Sequence, residues 1–343
     1  MRKMLSAVIM IVCAVSLSSC LAKKPLEPVS QTAFVLDTVA TITLYDYPED
    51  SDPNEIINQS FGLCSEYEKK LSRTIETSDI YKINTANGQP VEVSDETIEL
   101  IETAIKFSEL TDGKFDITIA PVSSLWDFKA ENPVPPSDES IKNSLAHVGY
   151  KNIQINGNEI SLADPEAALD LGGIGKGYIG DKVKEYLLNQ GVTNAVIDLG
   201  GNLLVICPEN QPERFGIQKP FYDYGVLMGA VESSGNSIVT SGVYERDFEY
   251  NGKLYHHLLD TSTGYPVENV LYSVVIIGPS SAYCDALSTS LFCLGTEKGL
   301  ELINSMDGYE AIFINNKYET IFSNGINKTV PYLTGGQISN GVG

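Results

Sequence analysis

Two Asp-Leu-Gly-Gly segments, at 170–173 and 198–201, constrain this chain more than any other feature. Glycine pairs accept backbone conformations closed to other residues and let a ligand or another chain segment approach closely. The first pair opens a periodic stretch from about Ile174 to Gln190, closed by Gly191, which predicts a helix with a glycine stop. The second is fed by Asn194–Asp198, whose Ala-Val-Ile run predicts a strand. The pairs lie 28 residues apart with no wider repeat around them. The middle of the chain must therefore be helix, strand and two tight corners built from glycine.

Around this centre, Phe34–Tyr47 alternates at Val39, Thr41 and Thr43 and predicts a strand. Ile57, Phe61, Cys64, Tyr67 and Leu71 follow helix spacing over 54–71. A second helix fits Ser94–Leu110, with Ser94 as cap, Asp95 and Glu96 in the first turn, and Ile98, Ile101 and Ile105 on one face. Residues 129–139 form a Pro-rich loop, and strands Ile153–Ile155 and Ile160–Leu162 meet at Asn156-Gly157-Asn158. A hairpin at 246–258, a strand at Tyr272–Ile277 and a helix at Ser281–Leu294 follow. Strands and helices mix without a βαβ rhythm, so the expected fold class is α+β.

Composition narrows the chemistry. Asp and Glu number 45 against 23 Lys and Arg, a net charge of −22 with no basic stripe, which disfavours nucleic acid. Three His leave little for a zinc site, so a bound metal would be a hard cation on oxygen ligands. Arg2 and Lys3 precede an apolar run from Leu5 to Leu17, the pattern of an export signal and too short to span a bilayer comfortably. Leu17-Ser18-Ser19-Cys20 resembles a bacterial lipoprotein cleavage box; an ordinary signal peptide with an incidental Cys20 is the alternative. On the lipoprotein reading, 1–19 is removed, Cys20 is lipidated, 20–32 is a tether with two Pro, and 33–335 is one exported, membrane-anchored unit. Loss of Arg2 and Lys3 moves the charge from −22 to −24. Cys64, Cys207, Cys284 and Cys293 then remain, with no CxxC pair, and read as buried free thiols.

Four segments could carry chemistry. In Asp170-Leu-Gly-Gly-Ile-Gly-Lys-Gly177, free N–H groups at a helix start and Lys176 would favour an anion, although a structural turn explains the glycines equally well. His256 and His257 are adjacent on a predicted strand, so at most one enters a given site; alone they read as packing groups. Asp285 and Thr289 are i and i+4 on a helix, a carboxylate and a hydroxyl on one side, suitable for Mg²⁺, with capping or a solvated face as the default. Finally, Thr111–Pro121 places Asp116 after a Gly-bearing turn and into a strand ended by Pro121, with the single Trp126 as core packing.

In this order, the blocks TDGKFDITIAPVSSLWDF, DLGGIGKGYIGDKV, VIDLGGNLLV, TSGVYERDFEYNGKLYHHLLDTSTGYP and CDALSTSLFCLG resemble the ApbE-type FAD:protein FMN transferase family, over about residues 34 to 325. The resemblance implies a single catalytic unit and Mg²⁺-dependent transfer of FMN from FAD to a Thr or Ser hydroxyl of an acceptor flavoprotein, releasing AMP. By the same match, Asp285 and Thr289 would be magnesium ligands, completed by backbone oxygens of Gly173 and Ser288. Lys114, Phe115, Asp116, Asp170, Lys176 and Leu258 or Leu259 match positions lining FAD, and Leu36 and Thr74 match its N-terminal contacts. His257 matches the second position of the family's His-His motif and, with Asp285, would carry turnover. Three departures stand out: Arg73-Thr74 where the family has an aromatic residue after Leu-Ser, Asp260-Thr261 for its Asp-Pro, and Ser288 for the usual Ala. The first leaves open a hydrolytic outcome, FAD to FMN and AMP, and a non-catalytic flavin-binding lipoprotein is a further alternative.

Overall fold

Residues 26–335 are described by a computed structural model. The signal segment 1–19 and Cys20 lie outside the described residues. An eight-stranded sheet runs in the order β1 (Val29–Val35), β2 (Thr38–Asp46), β6 (Asn194–Asp198), β7 (Asn202–Ile206), β10 (Ser237–Gly242), β13 (Leu271–Gly278), β14 (Glu310–Asn315) and β15 (Thr320–Phe322). Every pairing in it is antiparallel. Two three-stranded sheets accompany it, β3 (Val91–Glu92) with β5 (Glu159–Leu162) and β4 (Ile153–Asn156), and β16 (Tyr332–Leu333) with β9 (Leu227–Ser233) and β8 (Glu213–Gln218). The fold is α+β, as the sequence predicts.

The central strands are covered on both faces. Along β13, Val274 and Ile276 enter the large core while Val275 and Ile277 enter a second one, so a continuous apolar run is what this position needs. The large core is closed by helices α1 (Pro53–Leu71), α3 (Asp95–Leu110), α6 (Gly175–Asn189) and α7 (Ser281–Leu294). The second lies against the β8–β9–β16 sheet. A third cluster gathers Val122, Ile141, Phe248 and Leu259 around Trp126, whose indole N–H donates to the Gly264 carbonyl (3.1 Å). Trp126 is therefore core packing, as expected. Shorter helices α2 (Asp79–Thr85), α4 (Ala120–Ser123), α5 (Asp138–Leu145) and α8 (Thr296–Ile303), and a hairpin of β11 (Asp247–Tyr250) and β12 (Lys253–His256), complete the chain.

Several boundaries differ from the sequence reading. Phe34–Tyr47 is not one strand: Leu36 and Asp37, at φ 55° and 59°, form a two-residue turn without glycine that joins β1 to β2. β1 starts at Val29, inside the stretch read as a tether, because residues 29–32 pair with Thr41–Leu44. The strand expected between Asp116 and Pro121 is absent. Asp116 Oδ1 accepts from Thr118 N (2.8 Å) and Thr118 Oγ1 (2.6 Å), curling the chain into a turn, and Pro121 then stands in the first turn of α4. Ser94 caps α3 by conformation only; its hydroxyl turns to Asp79 instead (3.0 Å). Cys64, Cys207, Cys284 and Cys293 are free thiols, Cys64 and Cys284 buried and the other two half-buried.

Candidate functional site

The site begins where α6 crosses α7. A methyl group on Gly177 would stand 2.2 Å from the Ser281 carbonyl, so only glycine permits this crossing. The crossing brings α7 to the N-terminus of α6, and Gly177 N–H donates to Asp285 Oδ2 (2.9 Å). Asp181 of α6 returns the favour, accepting from Ser281 N (2.8 Å) and Ala282 N (3.0 Å) at the start of α7. Each helix is thus held at its first turn by a carboxylate of the other.

One turn along α7, Thr289 faces Gly173, whose added Cβ would lie 3.5 Å from Thr289 Oγ1 and 3.1 Å from the Phe115 ring. Ser288 Oγ bonds Ser241 Oγ (2.7 Å), and Ser241 Oγ is 3.4 Å from Thr289 Oγ1. The structure therefore brings Asp285, Ser288, Thr289, Gly173 and Phe115 together from three distant parts of the sequence. Ser241 joins them; no local pattern marks it, although it lies within the TSGVYERDFEYNGKLYHHLLDTSTGYP block.

Electrostatics single out Asp285, which is 5 % exposed. Burial raises its pKa, opposed by Lys176, the Gly177 N–H and the Asn202 amide. Lys176 Nζ donates to the Gly200 carbonyl (3.1 Å) in the second glycine corner, which Asp198 Oδ1 closes by accepting from Gly200 N (2.9 Å) and Gly201 N (3.3 Å). Desolvation, with the Asp285 charge, lifts Glu245 to about 7 against Lys176 and Arg246. Among the described residues no group of three His, Cys, Asp or Glu could hold a metal. The donors here are one carboxylate with hydroxyl and carbonyl oxygens, a set that fits a hard cation sharing its shell with phosphate and water.

The two histidines divide as their strand position requires. His256 turns inward, edge-on to Phe292, with Nε2 3.2 Å from the Val267 carbonyl. His257 is half-buried, its Nδ1 3.3 Å from the Arg246 carbonyl and within range of the Lys176 charge. A carbonyl only accepts, so Nδ1 carries the proton and Nε2 keeps a lone pair. Burial, then the Arg246 and Lys176 charges, lower His257 to about 4 against that carbonyl, leaving a neutral imidazole at neutral pH.

The remaining expected residues are placed less directly. Asp170 Oδ2 accepts from Ser123 Oγ (2.9 Å) and lies 3.5 Å from Arg73 Nε, while Oδ1 takes Gly172 N–H (2.9 Å), fixing the first glycine corner. Arg73 also donates to Ser124 Oγ (2.6 Å). Lys114 pairs with Asp260 (2.8 Å); although partial burial works the other way, Lys114 and Ser262 hold that carboxyl below its usual range. Asp116 is buried with both oxygens engaged, Oδ2 by Tyr150 N (2.7 Å), so its carboxylate shapes the loop. Leu258 and Leu259 point into the large core and the Trp126 cluster, which leaves only their backbone toward a ligand. Leu36 is half-buried at the β1–β2 turn, and Thr74 is exposed just past α1.

The ApbE family model matches residues 36–313. The chain belongs to the ApbE family. A protein of Klebsiella pneumoniae (strain 342) named FAD:protein FMN transferase is 36 % identical over 273 residues, 79 % of this chain and 84 % of that one. A protein of the same name from Vibrio cholerae is 31 % identical, covering 81 % and 85 %. Among solved structures, the flavin transferase ApbE from Vibrio cholerae superposes with a TM-score of 0.77 at 26 % identity, over 88 % of this chain and 99 % of that one. The ApbE protein of Thermotoga maritima gives 0.79 at 31 %, over 87 % and 97 %. The ApbE match thus spans both glycine corners, the histidine pair and α7, the elements that build the site.

Proposed function

We propose that this chain is an FAD:protein FMN transferase. The observation that carries the reading is the meeting of Asp285 and Thr289, one turn apart on α7, with Gly173 and the first turn of α6, whose Lys176 charge reaches both Asp285 and His257. In the reaction, the acceptor hydroxyl oxygen attacks the FMN-side phosphorus of FAD, the phosphoanhydride bond to AMP breaks, and AMP leaves. The hydroxyl proton goes to Nε2 of His257, or to a carboxylate beside it. Lys176 and the N–H groups of the glycine corner stabilise charge on the diphosphate oxygens. Asp285, Thr289 and backbone oxygens of Gly173 and Ser288 would hold Mg²⁺, which when bound supplies charge neutralisation and Lewis acidity at the diphosphate. Little proton removal is needed if the transition state is loose.

The test is incubation with FAD, Mg²⁺ and a flavin-free acceptor flavoprotein. Covalent flavin on the acceptor is expected; free FMN with no labelled acceptor would replace transfer with hydrolysis, and bound but unchanged FAD would replace it with storage. Asp285→Asn should remove metal-dependent turnover, and full retained activity would overturn the metal assignment.

We also propose that the mature protein is exported and lipid-anchored through Cys20, on the strength of the charged and apolar N-terminal segment and its Leu-Ser-Ser-Cys box. Among the described residues no helix is long and apolar enough to cross a membrane. Cys20→Ser should release the chain from the membrane fraction; unchanged membrane association would count against the anchor.

A further inference from the structure

The same end of the large sheet that carries the site has an apolar rim. At that end lie the β1–β2 turn, the Gly200–Gly201 corner, the segment after β10, the start of β13 and the turn after β14. The β1–β2 turn is bound into this rim, with Thr38 packed on Gly200 and Asp37 Oδ2 3.7 Å from Arg246 Nη2. Just behind it, the paired residues Phe34 and Val39 are 72 % and 61 % exposed.

Against Tyr244 and Tyr272 lies the loop between β8 and β9. Phe221, Tyr222, Tyr224 and Val226 are all strongly exposed there, Tyr224 completely. Soluble surfaces scatter such residues singly, and a loop that gathers four marks an interaction site. The loop is built to hold them. Gln218 Nε2 donates to the carbonyls of Lys219 (3.2 Å), Tyr222 (3.2 Å) and Asp223 (2.9 Å), and its Oε1 accepts from Gly225 N (3.0 Å). Lys219 Nζ lies 3.7 Å from the Tyr222 ring centre and 4.8 Å from that of Tyr318.

Two aromatic residues of this patch, Phe221 and Tyr318, have φ of 60° on separate turns. Bulky side chains rarely adopt that conformation, and it persists where the surroundings enforce it. Here it packs Phe221 edge-on against Tyr244 and Tyr272, and Tyr318 edge-on against Tyr222 and tilted against Tyr272. Tyr244 is the link to the chemistry, standing between Ser241, which bonds Ser288, and Arg246, which holds His257. Aromatic rings fixed in advance lose little entropy when a partner covers them.

We propose that this rim docks the acceptor polypeptide, with the 219–226 loop as its aromatic anchor and Phe34 and Val39 as the opposite wall. The inference rests on the transferase reading, which needs a macromolecule to bring a hydroxyl to His257 and Asp285. The occupant is an extended segment flanking that hydroxyl, lying across residues 244–246. It would bring apolar side chains to both walls. A second copy of this chain is the competing occupant.

The experiment compares the unmodified chain with Tyr222→Ser/Tyr224→Ser, residues outside the site. The probe is a flavin-free flavoprotein of the class that carries FMN on a threonine through a phosphoester. The double variant should raise KM for this acceptor by about tenfold or more, while the chain stays folded by circular dichroism and FAD binding, read by flavin fluorescence, is unchanged. A KM within about twofold of the unmodified chain overturns the docking surface while leaving the transferase reading intact. A dimer that the double variant dissociates assigns the patch to a second copy and overturns it too. If the unmodified chain binds FAD but labels no acceptor, the transferase reading falls and takes the proposal with it.

Discussion

At the residue scale, the site turns on two groups whose surroundings set their charge. Helix spacing puts Asp285 and Thr289, i and i+4, on one side, but spacing alone favours a cap or a solvated face, and only the family resemblance marks the pair as candidate ligands. Their neighbours were not legible: Ser241 and Asn202 reach Asp285 and Thr289 only through the packing of α7 on the sheet, which no local pattern encodes. Asp116 shows the converse, a matching carboxylate consumed by Thr118 and Tyr150. His257 carries a prediction. An ordinary histidine protonates near 6.5, whereas this one is lowered to about 4. It therefore stays able to accept a proton down to about pH 4 and loses that ability only below it. With a stable acceptor, kcat should stay flat through pH 6.5 and fall near pH 4, and His257→Asn should lower kcat about 100-fold with FAD binding retained. An acid limb centred at 6.5 that is lost in His257→Asn would show that the imidazole is not lowered, and one that persists in the variant would assign the limb to another group.

At the element scale, the helices were read well because their signals are local. The span of α7 matches the predicted Ser281–Leu294, and α6 ends one residue before the predicted Gln190. The β1–β2 turn was hidden because Leu36 and Asp37 occupy a conformation that usually advertises itself with Gly or Asn. The crossing of α6 and α7 was also invisible: Gly177 looked like part of a ligand loop, yet its missing Cβ makes room for the Ser281 carbonyl. This separates two glycines that propensity treats alike. Gly177→Ala should destabilise by about 2–3 kcal/mol, since the blocking atom is backbone and the helices must part. Gly62→Ala, in the exposed interior of α1 with nothing within 4 Å, should stabilise by about 0.5–1 kcal/mol. Urea midpoints of the two variants measure both, and a tolerated Gly177→Ala would mean that the crossing is not as close as described.

At the scale of the whole molecule, the class of fold followed from the mixed order of strands and helices, while the strand order did not, because β2 reaches its partner β6 across more than half of the sheet's sequence. What sequence stated outright was charge, and the structure gives it a consequence. A body carrying −22 must accept a dianionic diphosphate. The cations near the site do not overturn the imbalance: Lys114 is matched by Asp260, Arg73 by Asp170, Lys129 and Arg246 share Asp37, and Lys176 lies among Asp285, Asp198 and Glu245. Net repulsion should therefore govern FAD binding when divalent ions are removed by EDTA. Screening shortens from about 30 Å at 0.01 M ionic strength to about 10 Å at 0.1 M. Over that range, FAD affinity in EDTA should rise a few-fold, opposite to the usual salt weakening of an anion on a basic site. Fluorescence titration of FAD across a KCl series measures the sign. If affinity instead falls with salt, local attraction by Lys176 and its neighbours outweighs the acidic body, and the proposed divalent cation would be called for only at the reacting phosphorus.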